Sequence, residues 1–82
     1  MYKILITNRA EKDIKLLNKS LKKTIGEKID LLRENPVKYS RKLSDSKIGN
    51  YRLRVGDYRI VFDIEDNFII ILRIGHRRKI YS

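Results

Sequence analysis

The residues best equipped for chemistry in this chain are Arg52, Arg54, Arg59, Arg73, His76, Arg77, Arg78, Lys79 and Tyr81, all in its last third or so. Arginine offers a planar fork of donors that fits phosphate oxygens and keeps its charge at any physiological pH. An imidazole exchanges protons near neutral pH, and a tyrosine can orient a hydroxyl or stack on a base, stacking being worth ~1–3 kcal/mol per base. These groups suit a phosphodiester, RNA above all, because RNA carries its own nucleophile in the 2′-hydroxyl. A protein that cleaves RNA has to orient that hydroxyl, take its proton, stabilise the phosphorane charge and protonate the departing 5′-oxygen. Arginines serve the charge term, where each preorganised donor contributes ~2.7–4 kcal/mol. His76 is the candidate for proton exchange.

Other chemistries find little support. The nearby carboxylates Asp57, Asp63, Glu65 and Asp66 have no spacing that resembles a metal-ligand set, and Asp57 and Asp66 read as turn residues. Neither a metal nor a cofactor is expected. The absence of cysteine rules out disulfides, a thiolate zinc site and a thiol nucleophile. No serine nucleophile motif and no glycine-rich phosphate loop occurs.

The arginines must be positioned by strands, because Tyr51 to Arg77 alternates with period two. Gly56-Asp57 separates two alternating runs and reads as a two-residue hairpin loop that fits type II′ better than type I′. That loop sets Val55 opposite Tyr58, Arg54 opposite Arg59, Leu53 opposite Ile60 and Arg52 opposite Val61, and opposed residues share a face. One face then carries Tyr51, Leu53, Val55, Tyr58, Ile60, Phe62 and Ile64; the other carries Arg52, Arg54 and Arg59. Like charges set directly across a strand pair are destabilising by a few tenths to ~1 kcal/mol. Folding alone gives little reason to set Arg54 against Arg59; a solvated face that happens to be basic is one reading, and a clamp for phosphates is the sharper one. A third run, Phe68 to Ile74, is expected to follow a three-residue turn at Glu65-Asp66-Asn67. Arg59 would then face Arg73, with Phe68, Ile70, Leu72 and Ile74 in the core and Ile69 and Ile71 exposed beside the arginines. A two-residue turn would instead bury the charge of Arg73.

The rest of the chain supplies the support. Tyr2 to Thr7 alternates and reads as a first strand. Asn8, with Glu11 three residues on, is expected to cap a helix bearing Ala10, Ile14, Leu17 and Leu21. Ser20 could restart a second helix whose stripe is Leu21, Ile25, Ile29 and Leu32, ended by Asn35-Pro36. Periodicity fails between Pro36 and Asn50, so that stretch reads as a loop anchored by Val37, Tyr39, Leu43 and Ile48. Strands and helices in this order predict an α+β domain, with the helices on one face of a mainly antiparallel sheet and the arginines on the uncovered face.

Eighty-two residues suffice for a single domain, residues 1–82, with one core. The 20 basic against 10 acidic residues give a net charge of +10, which draws polyanions. Nucleic acid is the expected partner class rather than a membrane, since no helix pairs a basic face with a bulky aromatic one. MYKILIT is too short and mixed for a signal peptide, and no stretch approaches the ~18 apolar residues of a membrane span. A cytoplasmic location is expected.

The segment LSDSKIGNYRLRVGDYRIVFDIEDNFIIILRIGHRRKIY resembles the C-terminal half of the RelE/ParE superfamily of toxins from bacterial and archaeal toxin–antitoxin pairs, YRLRVGDYRIVF and RIGHRRKIY being the most specific pieces. The preceding strand and helices agree in order and size. The resemblance implies a microbial-ribonuclease-like fold and a metal-independent endoribonuclease that cuts mRNA in the ribosomal A site by 2′-OH attack. It carries the family's site onto Arg52, Arg54, Arg59, Arg77 and Tyr81. Prototype members have lysines at the first two positions, and His76, which matches members with a GHR tail, is implied as the base. Arg73, Arg78 and Lys79 are expected to bind RNA. The implied partners are a cognate antitoxin, the ribosome, and operator DNA bound by the toxin–antitoxin complex. A ParE-like gyrase inhibitor, or an attenuated member that only binds antitoxin and operator, is the competing expectation.

Overall fold

The hairpin at Gly56-Asp57 sets the geometry of the sheet. Gly56 takes φ +62°, the region glycine enters without steric cost and the one required at the first central position of a type II′ turn. The strands it joins pair in the register expected from the alternation, with Val55 against Tyr58 and Arg54 against Arg59.

The computed structural model describes residues 1–42 and 49–80. Leu43 and Ile48, expected as loop anchors, and Tyr81, expected in the site, lie outside the described residues. The elements run β1 (Lys3–Ile6), α1 (Asn8–Lys15), α2 (Lys19–Glu34), β2 (Arg41–Lys42), β3 (Tyr51–Val55), β4 (Tyr58–Glu65) and β5 (Phe68–His76). The strands form one sheet in the order β1-β5-β4-β3-β2. Among the described residues only the β1–β5 pairing is parallel, and the long connection through both helices and three strands permits it.

Both helices are capped one or two residues earlier than expected. Thr7, not Asn8, caps α1 by accepting the Ala10 N–H, and Asn18, not Ser20, caps α2 by accepting that of Leu21. Ala10 and Leu17 from the first helical segment, with Ile25 and Leu32 from α2, pack on Ile60, Phe62, Ile69, Ile71 and Ile74 of the sheet. This is the α+β arrangement expected, with the helices on one face.

The β4–β5 hairpin corrects two expectations. Glu65 pairs with Phe68, so the turn is the two-residue Asp66-Asn67, with Asp66 at φ +53°. Ile69 and Ile71 are therefore fully buried in the core, and Phe68, Ile70 and Leu72 are not part of it. An unbroken register from that turn would put Arg73 opposite Ile60 and inside the core. A bulge prevents this: Phe62 pairs with Ile71 but Val61 with Arg73, so Leu72 is the extra residue and the side chains beyond it change face. The cost of burying a charge is thus avoided by a bulge rather than by a longer turn. As a result Arg59 faces Gly75, not Arg73.

The sheet face turned away from the helices is partly covered. Val61 is fully buried there although it lies outside the helix-facing core. Gly49 lies so close that an added Cβ would stand 2.7 Å from Leu72 Cδ1 and 2.9 Å from Val61 Cγ1. After β5 the chain turns back, with the N–H groups of Lys79 and Ile80 bonded to the His76 carbonyl, and buries Ile80 against Gly75.

Candidate functional site

Pairing across the sheet arranges the arginines in two rows on the face away from the helices. Arg41, Arg52, Val61 and Arg73 form one row across β2 to β5; Arg54, Arg59 and Gly75 form the next. Two residues of strand separate the rows, about 6.6–6.8 Å. Within them Arg41 directly opposes Arg52, and Arg54 directly opposes Arg59. Two like-charged pairs side by side on one short sheet make a strongly cationic surface, one that an anion would relieve.

The members differ in what holds them. Arg54 is exposed and Arg59 half-buried. Among the described residues the Nε of Arg52, shut off from solvent, has no hydrogen-bond partner, an arrangement that costs free energy. Arg73 is tied down: its Nε donates to Asp13 Oδ2 of α1 at 2.9 Å, and the same oxygen accepts the backbone N–H of Ile74 at 2.9 Å. Asp13 thereby takes the place of a paired strand along the part of β5 that β1 does not reach. The charge of Arg73 is largely neutralised, so this arginine stands apart from the other expected RNA-binding groups.

The residues after β5 gather at the end of the sheet. The Arg77 N–H donates to the Asp57 carbonyl at 2.8 Å, which pins the tail to the β3–β4 turn, while its Nε lies 3.8 Å from Asp57 Oδ1 in an exposed ion pair. Pairs of that kind contribute little, about 0–1 kcal/mol, so the guanidinium is available to a ligand. His76 shares the helix-side face with Tyr58, ring edge to ring face at a centroid distance of 5.5 Å. Its Nδ1 accepts the Arg78 N–H at 3.2 Å, so the neutral ring carries its hydrogen on Nε2. Arg9, Tyr58, His76, Arg78 and Lys79 line a cleft of about 580 Å³ between α1 and the tail. His76 therefore reaches the arginine rows only around the end of β5, not across the face.

Residues 4–81 match the family model described as ParE toxin of type II toxin-antitoxin system, parDE. The chain belongs to the RelE/ParE superfamily of toxins. It is 32% identical to Toxin RelE3 of Methanocaldococcus jannaschii, over 98% of this chain and 96% of that one. Its fold matches the toxin–antitoxin complex RelBE2 of Mycobacterium tuberculosis with a TM-score of 0.83 at 26% identity, covering 93% of this chain and 98% of that one. The archaeal RelE-RelB complex of Pyrococcus horikoshii gives 0.77 at 29% identity, over 95% and 97%. The toxin is thus a RelE-type member of a type II system.

Two residues of this site escape a sequence reading. Arg41 lies in a two-residue strand, too short to show alternation, within a stretch whose periodicity fails. Asp13 did leave a signal: it stands three residues after Ala10 and four before Leu17, on the side of the helix that faces the protein, where a carboxylate calls for a buried partner. Among the described residues no group of three or more His, Cys, Asp or Glu side chains is arranged to hold a metal ion. No described helix is long and apolar enough to cross a membrane.

Proposed function

We propose that this toxin is a metal-independent mRNA endoribonuclease that acts in the cytoplasm on message held in the ribosomal A site. The observation that carries this reading is the opposition of Arg54 and Arg59, flanked by Arg52, on the sheet face without helices. A phosphate seated between the two guanidiniums turns a repulsive pair into two charge-assisted clamps.

In the reaction the RNA 2′-oxygen attacks the adjacent phosphorus and the bond to the 5′-oxygen breaks, leaving a 2′,3′-cyclic phosphate and a 5′-hydroxyl whose proton is supplied by water. Arg54 and Arg59 stabilise the charge that builds on the phosphorane, and Arg52 supports it from the neighbouring row. Arg77, tethered through its backbone to the β3–β4 turn, supports the same charge from the end of the sheet, and Tyr81 orients the reacting nucleotide. His76, on the opposite face, takes the 2′-hydroxyl proton from a nucleotide that wraps the end of β5, which also requires a ring nitrogen freed from the Arg78 N–H. Arg78 and Lys79, exposed beside it, hold the flanking backbone. A RelB-type antitoxin neutralises this surface, as the complexes of similar toxins suggest, and the pair binds its own operator DNA.

The test is a primer-extension map of mRNA from a translation reaction, with and without ribosomes on the message. Cuts confined to ribosome-bound message support the reading. The matched family model is described by parDE, so DNA gyrase inhibition is the second reading, and failure of supercoiling with intact message would establish it instead. Arg77→Ala combined with Tyr81→Phe is expected to abolish toxicity while preserving folding and antitoxin binding. Unchanged growth arrest by that double variant would remove the tail from the site.

A further inference from the structure

We infer that Arg41 and Arg52 form a second phosphate subsite, which seats the RNA nucleotide next to the one being cut. This deepens the reading of the Arg54–Arg59 pair as an RNA clamp and rests on it. Strand β2 comprises only Arg41 and Lys42, and its register places Arg41 on the same face as Arg52 and directly across from it. Lys38, Tyr39, Ser40, Arg41, Arg52, Leu53 and Arg54 line a recess of about 270 Å³ where β2 meets β3. Among the described residues three arginines and a lysine line it and no carboxylate does, which suits an anion.

Two features make this more than a basic edge. Among the described residues the buried Nε of Arg52 has no acceptor, so one donor of the guanidinium lacks the partner such a group ordinarily has. The spacing also fits. The Arg41–Arg52 row lies two strand residues, about 6.6–6.8 Å, from the Arg54–Arg59 row, a step comparable with the phosphate repeat of an extended strand. RNA lying along β3 would present consecutive phosphates to consecutive arginine pairs. A folded duplex would not follow so short a sheet, and the ligand is accordingly single-stranded.

The probe is a short single-stranded RNA with 2′-O-methyl groups, whose blocked hydroxyls cannot attack, so that binding is measured without cleavage. Affinity is followed by fluorescence anisotropy across a salt series for the parent, Arg41→Ala, Arg41→Lys and Lys23→Ala, the last on the outer surface of α2. Each phosphate contact contributes about 0.7–1 to the slope of log affinity against log salt. The expected result is a slope lowered by that amount in Arg41→Ala and restored in Arg41→Lys, with Lys23→Ala like the parent. Parent-like slope in Arg41→Ala, or an equal drop in Lys23→Ala, would overturn the subsite and leave the Arg54–Arg59 clamp standing. Failure of the parent itself to bind the RNA would overturn the subsite, while the Arg54–Arg59 clamp is judged by cleavage of ribosome-bound message.

Discussion

Replacing Asp13 by alanine should loosen the sheet where β1 ends. One carboxylate oxygen accepts two donors there, Arg73 Nε and the Ile74 N–H, each at 2.9 Å, and the side chains of Arg73 and Asp13 are only 20% and 11% exposed. Removing the acceptor leaves both donors without a partner, at about 1–3 kcal/mol for each such group. Water can reach part of the site, which brings the sum toward the lower end of that range, roughly 2–3 kcal/mol. For a domain of this size each kcal/mol shifts Tm by about 4–8 °C, so the loss should be about 10–20 °C. Asp13→Asn keeps an oxygen for the Ile74 N–H and should cost about half as much. The assay is thermal unfolding followed by circular dichroism, with Arg73→Met and the double variant completing a cycle whose coupling should exceed ~0.5 kcal/mol. A fall below about 4 °C in Asp13→Ala, or strict additivity with Arg73→Met, would refute the role given to this carboxylate.

Two other predictions use the same measurement. Gly49→Ala places a Cβ 2.7 Å from Leu72 Cδ1 and 2.9 Å from Val61 Cγ1; the leucine tip can move, but the valine is held by its strand, so a loss of about 1–3 kcal/mol is expected, seen as a Tm lowered by at least ~4 °C. Arg54→Thr removes one of two opposed cations and should raise Tm slightly, by the few tenths to ~1 kcal/mol that such a pair costs, while growth arrest on expression disappears. A variant that is both less stable and still toxic would contradict the functional origin of the pair.

The β3–β4 hairpin could be read in the sequence because a strict alternation meets a glycine-containing loop of two residues, and each fixes the other. The β4–β5 hairpin could not. Its bulge at Leu72 lets either face of Phe68 to Ile74 serve as the core side, since isoleucines occupy odd and even positions alike and only Arg73 discriminates. The need to keep that arginine out of the core was legible; a longer turn and a bulge satisfy it equally, and periodicity cannot choose between them. The helices were placed by their apolar stripes, although Thr7 and Asn18 compete with equally plausible caps one or two residues away. Arg52, Arg54 and Arg59 announced themselves by register, whereas Arg41 acquires its place only from the tertiary pairing of a strand without a pattern.

The parallel pairing of β1 with β5 also has a bearing on how the molecule assembles. Lys3 pairs with Phe68, a separation of 68 − 3 = 65 residues, and closing so long a loop costs on the order of 4 kcal/mol. The β3–β4–β5 meander closes over two-residue turns and escapes that cost, so it should form first and offer β5 as a template to which β1 docks last. Since β5 is also the last strand of the sheet to be synthesised, a nascent chain has no pairing site for β1 until nearly the whole domain has been translated. Folding of this domain is thereby postponed until β5 has been made, and β1, the last strand to dock, should exchange its amides early when the native sheet opens.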